Sequence, residues 1–444
     1  MKKQLMYAGF FSLLCTAVSL QSRAQLVVSG QLRTRSEYRD GQGAPLSKGA
    51  YPAFFTSQRT RLIFRYSMYR LKFGLDLQDV RVWGQDVSTI NRTTTANNNG
   101  LLLHQAWAEI LLTDTTLKKA ALSLKIGRQE LVYDDQRLLG NLDWLQQGRR
   151  HDAAVLKFET KSWMFHLAGG YNQNQENASG TIYNSVPPGN YTASTNGGVM
   201  YKSMQFLYVG KKLTSGNASF LFFTDQFSKP DTSVVAPFQT GVWARATTGL
   251  YLNDTLAKKI AVTASAYYQF GKTPVGQDVS AMLLSGSVQY IISKQFSVGP
   301  GIDYTTGGTT GTTSNTFDPL YGTPHKFWGS MDYFYAASPF GKGGLTDYYF
   351  KAKYKTSDKF WASADIHQFS SAARVGTFNT KSFGQELDIT AAYNLTKQIS
   401  FEGGYSHFWT TALLASPTVK NVANEKSDAN WGYLMIIIKP NLFK

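Results

Sequence analysis

Hydrophobic and polar residues alternate with a period of two along most of this chain. Such alternation is typical of half-buried β-strands, whose successive side chains point to opposite faces. Clusters of Gly, Asn, Asp and Ser separate the alternating segments and favour turns. The pattern predicts about eighteen strands, at 26–35, 54–66, 70–82, 102–112, 121–129, 152–160, 163–172, 199–211, 217–227, 241–253, 259–271, 279–292, 296–305, 346–355, 359–369, 382–394, 398–410 and 430–439.

The predicted connections fall into two classes by length. Those after even-numbered strands are compact, at 67–69, 113–120, 161–162, 212–216, 254–258, 293–295, 356–358 and 394–397. Those after odd-numbered strands are mostly long, as at 130–151 and 306–345, and only the link at 272–278 breaks the trend. Short turns at one end and long loops at the other are typical of a closed barrel in an outer membrane. We therefore predict an all-β fold, a transmembrane antiparallel barrel of about eighteen strands with both termini periplasmic. The number would be sixteen if the pattern divides the chain into too many strands.

The two faces of the predicted strands differ in polarity. Leu62 and Phe64 share one face of the second strand, while Arg59, Arg61 and Arg65 point the other way. A charged side chain on the lipid face is costly, so charges repeated on one face of neighbouring strands belong in the lumen. The apolar face is therefore expected to contact lipid.

The first 24 residues read as a secretory signal peptide. Lys2 and Lys3 precede an apolar stretch, and a small-x-small cleavage site ends at Ala24. The alternative is an N-terminal membrane anchor, for which the apolar run is short. Removing the leader removes Cys15, the only cysteine, so no disulfide or thiolate metal site is expected. Residues 25–444 are then a single barrel domain, located in the outer membrane of a Gram-negative bacterium.

The charge balance is basic and bears on what the lumen attracts. The formal net charge is +16 (45 basic against 29 acidic residues), and without Lys2, Lys3 and Arg23 it is +13 (42 against 29). Guanidinium groups suit carboxylates, and rings of Arg and Lys select anions in pores. The predicted lumen cations are Arg33, Arg35, Arg59, Arg61, Arg65, Arg70, Lys72, Arg245, Lys351, Lys353 and Lys355. The alternative is that they pair with lumen acids such as Asp76 and Glu386 and only stiffen the wall.

One loop carries the densest motif. Residues 127–154 read GRQELVYDDQRLLGNLDWLQQGRRHDAA, a run of paired charges expected to fold into the lumen as a constriction. This run resembles the hallmark segment of the alginate-export outer-membrane proteins: a Gly-Arg-Gln-Glu start, then Tyr-Asp-Asp-Gln-Arg-Leu, then Asp-Trp, Gly-Arg and Asp. Residues 316–335, TFDPLYGTPHKFWGSMDYFY, also resemble that family.

The resemblance implies an eighteen-stranded barrel that passes an acidic polysaccharide or oligosaccharide outward through a basic, narrow lumen. It implies that Arg128, Arg137 and Arg149 lie at the constriction. The family's plug by a long periplasmic turn is not expected here, because all the even-numbered turns are short. Expected partners are the anionic saccharide, outer-membrane lipid, periplasmic export components and the barrel-assembly machinery, which reads a C-terminal Phe such as Phe443. No nucleic-acid partner, cofactor or metal is expected.

Three alternative functions follow from the same residues. A general or small-anion porin would conduct without binding saccharide, and a structural or adhesive barrel would bind partners through its long loops. An enzyme is not expected, since no phosphate loop or nucleophile elbow is present. A barrel lipase would need a His beside a Ser at the lipid boundary, for which His104 and His407 are the candidates. His325 and Asp332 could begin a metal site, but their loop offers no third ligand.

Overall fold

In the computed structural model of the chain, the residues that the structure describes form eighteen long antiparallel strands, which close into a barrel. The structure describes residues 25–84, 100–114, 119–173, 176, 183, 185, 195–230, 239–338 and 340–443. The predicted signal peptide lies outside these residues. Within the described part of the chain, no helix is both long and apolar enough to cross a bilayer.

The barrel strands are β1–β13 and β16–β20, each paired with its neighbours along the chain. Their bounds, with those of three short strands, are β1 (Gln25–Asp40), β2 (Ala53–Met68), β3 (Leu71–Val82), β4 (Leu102–Leu111), β5 (Ala120–Gln129), β6 (His151–Thr160), β7 (Trp163–Tyr171), β8 (Ser203–Lys212), β9 (Asn217–Pro230), β10 (Gln239–Leu256), β11 (Ile260–Lys272), β12 (Asp278–Ile291), β13 (Phe296–Thr305), β14 (Thr309–Thr310), β15 (Thr313–Ser314), β16 (Leu345–Lys355), β17 (Phe360–Ser370), β18 (Ser382–Asn394), β19 (Ile399–Thr410), β20 (Asp428–Ile438) and β21 (Asn441–Phe443). Pairing of β1 with both β2 and β20 closes the barrel, which leaves no long strand edge unpaired.

The predicted strand set is confirmed, and the differences are local. The strand β1 extends five residues beyond its predicted end at 35, where it pairs with β20 up to Asp40. The short strands β14, β15 and β21 were not predicted. Pro440 ends β20, and its carbonyl accepts a hydrogen bond from the Gly30 N–H (3.0 Å), so β21 resumes the pairing with β1.

Two β-bulges reverse the facing that strict alternation predicts. His104 was predicted on the outer face, but the pairing of β3 with β4 shifts there and its side chain is fully buried inside. Strict alternation with Leu387 and Ile389 would place Phe383 on the lipid face, but a shift beside Gly384 (φ 132°) turns it into the interior, where it packs against Phe334. A bulge inserts one extra residue and so changes the face of the side chain beside it.

Two long loops fill much of the barrel interior. We name residues 130–150 the first inner loop and residues 306–344 the second inner loop. Leu139 of the first pairs with Tyr321 of the second through a parallel bridge. The second loop also reaches the wall, since the Met331 N–H donates to Glu386 Oε1 (2.7 Å) and Phe334 is buried. The buried apolar core therefore lies inside the barrel.

Replacing Leu62 by Arg is expected to destabilise the folded barrel. Leu62 pairs with Leu77 near the middle of β2 on the lipid side, where a cation costs about 2–4 kcal/mol. The free energy of unfolding in urea, followed by heat-modifiable migration on gels, measures the loss. Leu62→Met is the control and should unfold like the unchanged protein. Equal stability of the two variants would contradict the assigned lipid face.

Candidate functional site

Three arginines on the inner face of β1 and β2 surround one carboxylate. Asp143, in the first inner loop, lies 2.9 Å from Arg59 Nη2, 3.4 Å from Arg33 Nη1 and 3.8 Å from Arg61 Nη1. Burial raises the pKa of Asp143, but the charges of Arg59, Arg33 and Arg61 outweigh it and bring the pKa to about 2. The Asp143 side chain is 51% exposed, whereas Arg33 and Arg59 are buried. The cluster therefore presents a bound carboxylate at its open side.

The same wall also binds backbone oxygens of the first inner loop. Arg33 donates to the carbonyls of Asp143 (2.7 Å) and Leu145 (3.1 Å), and Arg35 donates to that of Trp144 (2.8 Å). The Arg35 guanidinium lies 4.2 Å above the Trp144 ring. These arginines are therefore not free cations of an open lumen, because they hold the first inner loop in place.

The remaining predicted cations of the first three strands differ in their surroundings. Arg65 is 37% exposed and donates to both carboxylate oxygens of Asp76. Arg70 was predicted on a strand, but it lies in the turn between β2 and β3 with φ 62°, a left-handed conformation suited to a tight turn. Lys72 is exposed at the start of β3, on the same face as Asp76. Among these three cations, Arg65 is the one with an ion pair to a carboxylate of the lumen wall in the described part of the chain.

Arg128 does not lie at the constriction that the resemblance implied. Arg128 and Gln129 are adjacent in β5, so their side chains point to opposite faces, and that of Gln129 is buried inside. Across the strand pair, Arg128 lies beside Asp152 of β6. The two side chains form a two-pronged ion pair (2.9 and 2.8 Å) on the outer face. The assignment failed because it came from the motif, whereas the alternation of β5 decides the facing.

Arg137 and Arg149 do lie inside the barrel, as anchors of the first inner loop. Arg137 pairs with Asp303 of β13 at 2.7 Å and lies 3.9 Å from the Phe327 ring. Arg149 donates to the carbonyls of Tyr321 and Gly322, and burial lowers its pKa to about 9. Both guanidinium groups are buried, so they fasten the two inner loops to each other and to the wall.

The cations predicted on the later strands fall into two groups. Arg245 of β10 is buried and binds Asp225 (2.6 Å) and Asp318 (2.7 Å), so its charge is compensated. Lys351 lies 3.3 Å from Asp365, and Lys353 lies 5.5 Å from the Trp361 ring. Both lysines share the inner face of β16 with the buried Asp347. They stand closer to the short turns than the arginine cluster does.

Sequence reasoning missed several residues that complete the site. Gln146 accepts from Arg33 (2.9 Å) and donates to Ser57 (3.0 Å), and Glu130 binds His104 (2.8 Å). Asp134 accepts from the hydroxyls of Tyr208 (2.9 Å) and Ser219 (2.8 Å). Glu130, Asp134 and Gln146 all belong to the motif at 127–154, but nothing in the motif indicates which strand each of them contacts.

Acidification is expected to tighten the docking of the first inner loop. Burial raises the pKa of Asp134 to about 6, although the Ser219 and Tyr208 hydroxyls oppose the rise. The pKa of Asp134 is higher when the first inner loop is docked than when the carboxyl group is free in water. The ionised carboxylate therefore opposes docking above pH 6, at a free-energy cost of at most about 2–3 kcal/mol. This cost is lost as pH falls through 6. Single-channel conductance should therefore be lower at pH 5 than at pH 7.5.

Two asparagine variants test that pH dependence. Asp134→Asn should remove most of the conductance step between pH 7.5 and pH 5, because the titrating group is gone. Asp135→Asn is the matched control and should keep the step, since Asp135 binds Arg137 rather than the wall of β8 and β9. If the conductance of Asp134→Asn changes between pH 7.5 and pH 5 as much as that of the unchanged protein, another titrating group is responsible.

The described residues do not assemble the catalytic or metal sites weighed as alternatives. Ser406 faces inward and binds Asp388, while His407 faces outward and binds Asn430 (2.9 Å), so the two side chains point apart. His104 is buried inside, away from the lipid boundary. His325 binds Asp332 (2.8 Å), and no cluster of three metal-ligating side chains is found in the described part of the chain.

Comparisons with known proteins agree with this architecture. The profile of the family described as Alginate export matches residues 24–169, a range that contains the motif at 127–154 but not the one at 316–335. No curated protein matches the sequence significantly. OpdO of Pseudomonas aeruginosa has a TM-score of 0.61 at 12% identity, over 94% of this chain and 98% of that one. A BenF-like porin from Pseudomonas fluorescens Pf-5 has a TM-score of 0.60 at 10% identity, over 94% and 99%.

At such identities the solved structures establish the fold alone, which is that of porin-type barrels. The profile match adds the family signal over the first third of the chain, through β7. The resemblance to the alginate-export proteins is thus confirmed over residues 24–169, and the fold is that of a bacterial outer-membrane β-barrel.

Proposed function

We propose that this barrel passes an anionic, carboxylate-bearing saccharide through its lumen, with the export polarity that the family resemblance suggests. The observation that carries the proposal is the grouping of Arg33, Arg59 and Arg61 around the half-exposed carboxylate of Asp143. A uronate residue offers the same chemical group, and guanidinium forks fit carboxylates.

The carbonyl contacts favour a saccharide over a simple anion. Arg33 and Arg35 bind a run of backbone oxygens in residues 143–145 as well as the carboxylate. A polysaccharide carries hydroxyl and ring oxygens between its carboxylates, so an extended chain that displaces residues 143–145 would satisfy several of these donors at once. Chloride could satisfy only one site at a time.

A second candidate function is a general or small-anion porin. The likeness of the whole barrel to a BenF-like porin favours it, although that likeness concerns the fold. Such a porin would share the arginine cluster but would show no preference for saccharides.

Conductance in planar bilayers separates these functions. For a saccharide channel we expect anion-selective reversal potentials in a KCl gradient, and current block by an oligouronate but not by a neutral oligosaccharide of equal length. Anion current without block would indicate a small-anion porin. Very low conductance in every condition would indicate a structural or adhesive barrel.

A further inference from the structure

Exposed lysines surround the short-turn end of the barrel. We name them the lysine collar: Lys119, Lys161, Lys211, Lys212, Lys258, Lys259, Lys294, Lys355, Lys359, Lys397 and Lys439. From residue 112 onward, every short turn has at least one of them within it or beside it. In outer-membrane barrels the short turns face the periplasm, so the collar faces that compartment.

Fewer carboxylates than lysines lie at this end. Asp358 pairs with Lys355 (2.9 Å) in the turn between β16 and β17, and Asp114, Glu159 and Asp254 lie at or beside other turns. In the described part of the chain, Lys212, Lys294 and Lys397 form no ion pair within 4.0 Å. Like charges repel, so a ring of them raises the electrostatic free energy of the barrel. The same ring creates a positive potential over the mouth that attracts anions.

Some collar lysines point toward the mouth rather than toward lipid. Lys212 lies on the same face of β8 as Tyr208, whose side chain is buried inside. Lys355 lies on the same face of β16 as Lys351 and Lys353. Lys211 faces outward, where its amine lies 4.3 Å from the Trp163 ring, an arrangement suited to the membrane interface. The inward members therefore continue the line of lumen cations on β16 down to the periplasmic mouth.

From this placement we infer that the lysine collar collects the anionic polysaccharide from the periplasmic side and delivers it to the lumen. The inference rests on the proposed function, and it assigns a second binding surface distant from the arginine cluster. A flexible polyanion contacts several lysines at once, whereas lipid headgroups cannot reach the inward-facing members. Such steering raises association rates about 10- to 1,000-fold at low salt and is screened at high salt.

The test compares two quadruple variants with equal loss of charge. The collar variant carries Lys212→Gln, Lys294→Gln, Lys355→Gln and Lys397→Gln. The control variant carries Lys48→Gln, Lys229→Gln, Lys342→Gln and Lys381→Gln, all exposed at the long-loop end. Channels in one orientation in a bilayer receive an oligouronate on either side, and the frequency and duration of blocking events are recorded.

We expect the collar variant to lose at least tenfold in blocking frequency when the oligouronate is added at the short-turn side in low salt. Block duration and block from the other side should not change, and 1 M salt should remove the difference. The control variant should keep its blocking frequency from the short-turn side.

Two results would overturn the inference. One is an unchanged blocking frequency in the collar variant, and the other is an equal loss of blocking frequency in the control variant. If the frequency is unchanged and the melting temperature of the collar variant no longer responds to phosphatidylglycerol in the bilayer, the collar is a lipid headgroup site. Absence of block in the unchanged protein from either side would instead refute the proposed function itself.

Discussion

Replacing Arg59 and Arg61 together by Glu is expected to reverse the ion selectivity of the channel. The change places two negative charges beside Asp143 and Glu130, where two positive charges now bind them. The first inner loop should then be repelled from β2, and the constriction should favour cations. The anion-to-cation permeability ratio, taken from reversal potentials in a KCl gradient, should fall by about tenfold or more, which corresponds to ~1.4 kcal/mol.

A charge-preserving variant separates selectivity from folding. Arg59→Lys with Arg61→Lys keeps the charge but loses the guanidinium donors that bind Gln31 and Gln78, so anion selectivity should persist with a looser loop. Heat-modifiable migration verifies that both variants form barrels. Unchanged reversal potentials in the glutamate variant would mean that the cluster only reinforces the wall.

Replacing Asp143 by Asn is expected to strengthen saccharide binding and to raise conductance. The Asp143 carboxylate forms ion pairs with Arg33, Arg59 and Arg61. A neutral amide in its place would leave these three guanidinium groups without their shared anion. Hydrogen bonds to charged groups contribute about 1.5–3 kcal/mol. An oligouronate that takes the vacated position should therefore bind about tenfold more tightly, measured as a lower concentration for half-maximal current block.

Asp152→Asn provides the matched control. Asp152 also pairs with an arginine, Arg128, but on the outer face of β5 and β6, so its loss should leave block unchanged. If Asp143→Asn binds the oligouronate no better than the unchanged protein, the arginine cluster is not the saccharide site. The carboxylate would then serve only to dock the loop.

Strand content and facing could be predicted because lipid imposes the same demand on every strand. Leu62 and Phe64 had to face outward and Arg59 and Arg61 inward, since a charge that faces lipid near the bilayer midplane is costly. Loop length was equally readable, because turns and loops alternate with strand order. These features depend only on local sequence, and the structure has them as predicted.

Two of the errors concern a feature that a period-two pattern does not contain. At His104 and Phe383 a bulge shifts the register by one residue and reverses the facing. The error at Arg128 is of another kind, because Arg128 was placed by its motif although the alternation of β5 directs it outward.

The sequence by itself determined the closed barrel, the alternation of short turns with long loops, and a basic set of inward residues, because alternation and turn chemistry act over a few positions. Only the tertiary structure decided which of those cations are covered. Arg33 meets Gln146 across 113 residues and Arg137 meets Asp303 across 166. Such contacts depend on where the two inner loops pass through the lumen, and that path is fixed by packing among distant segments rather than by any local pattern.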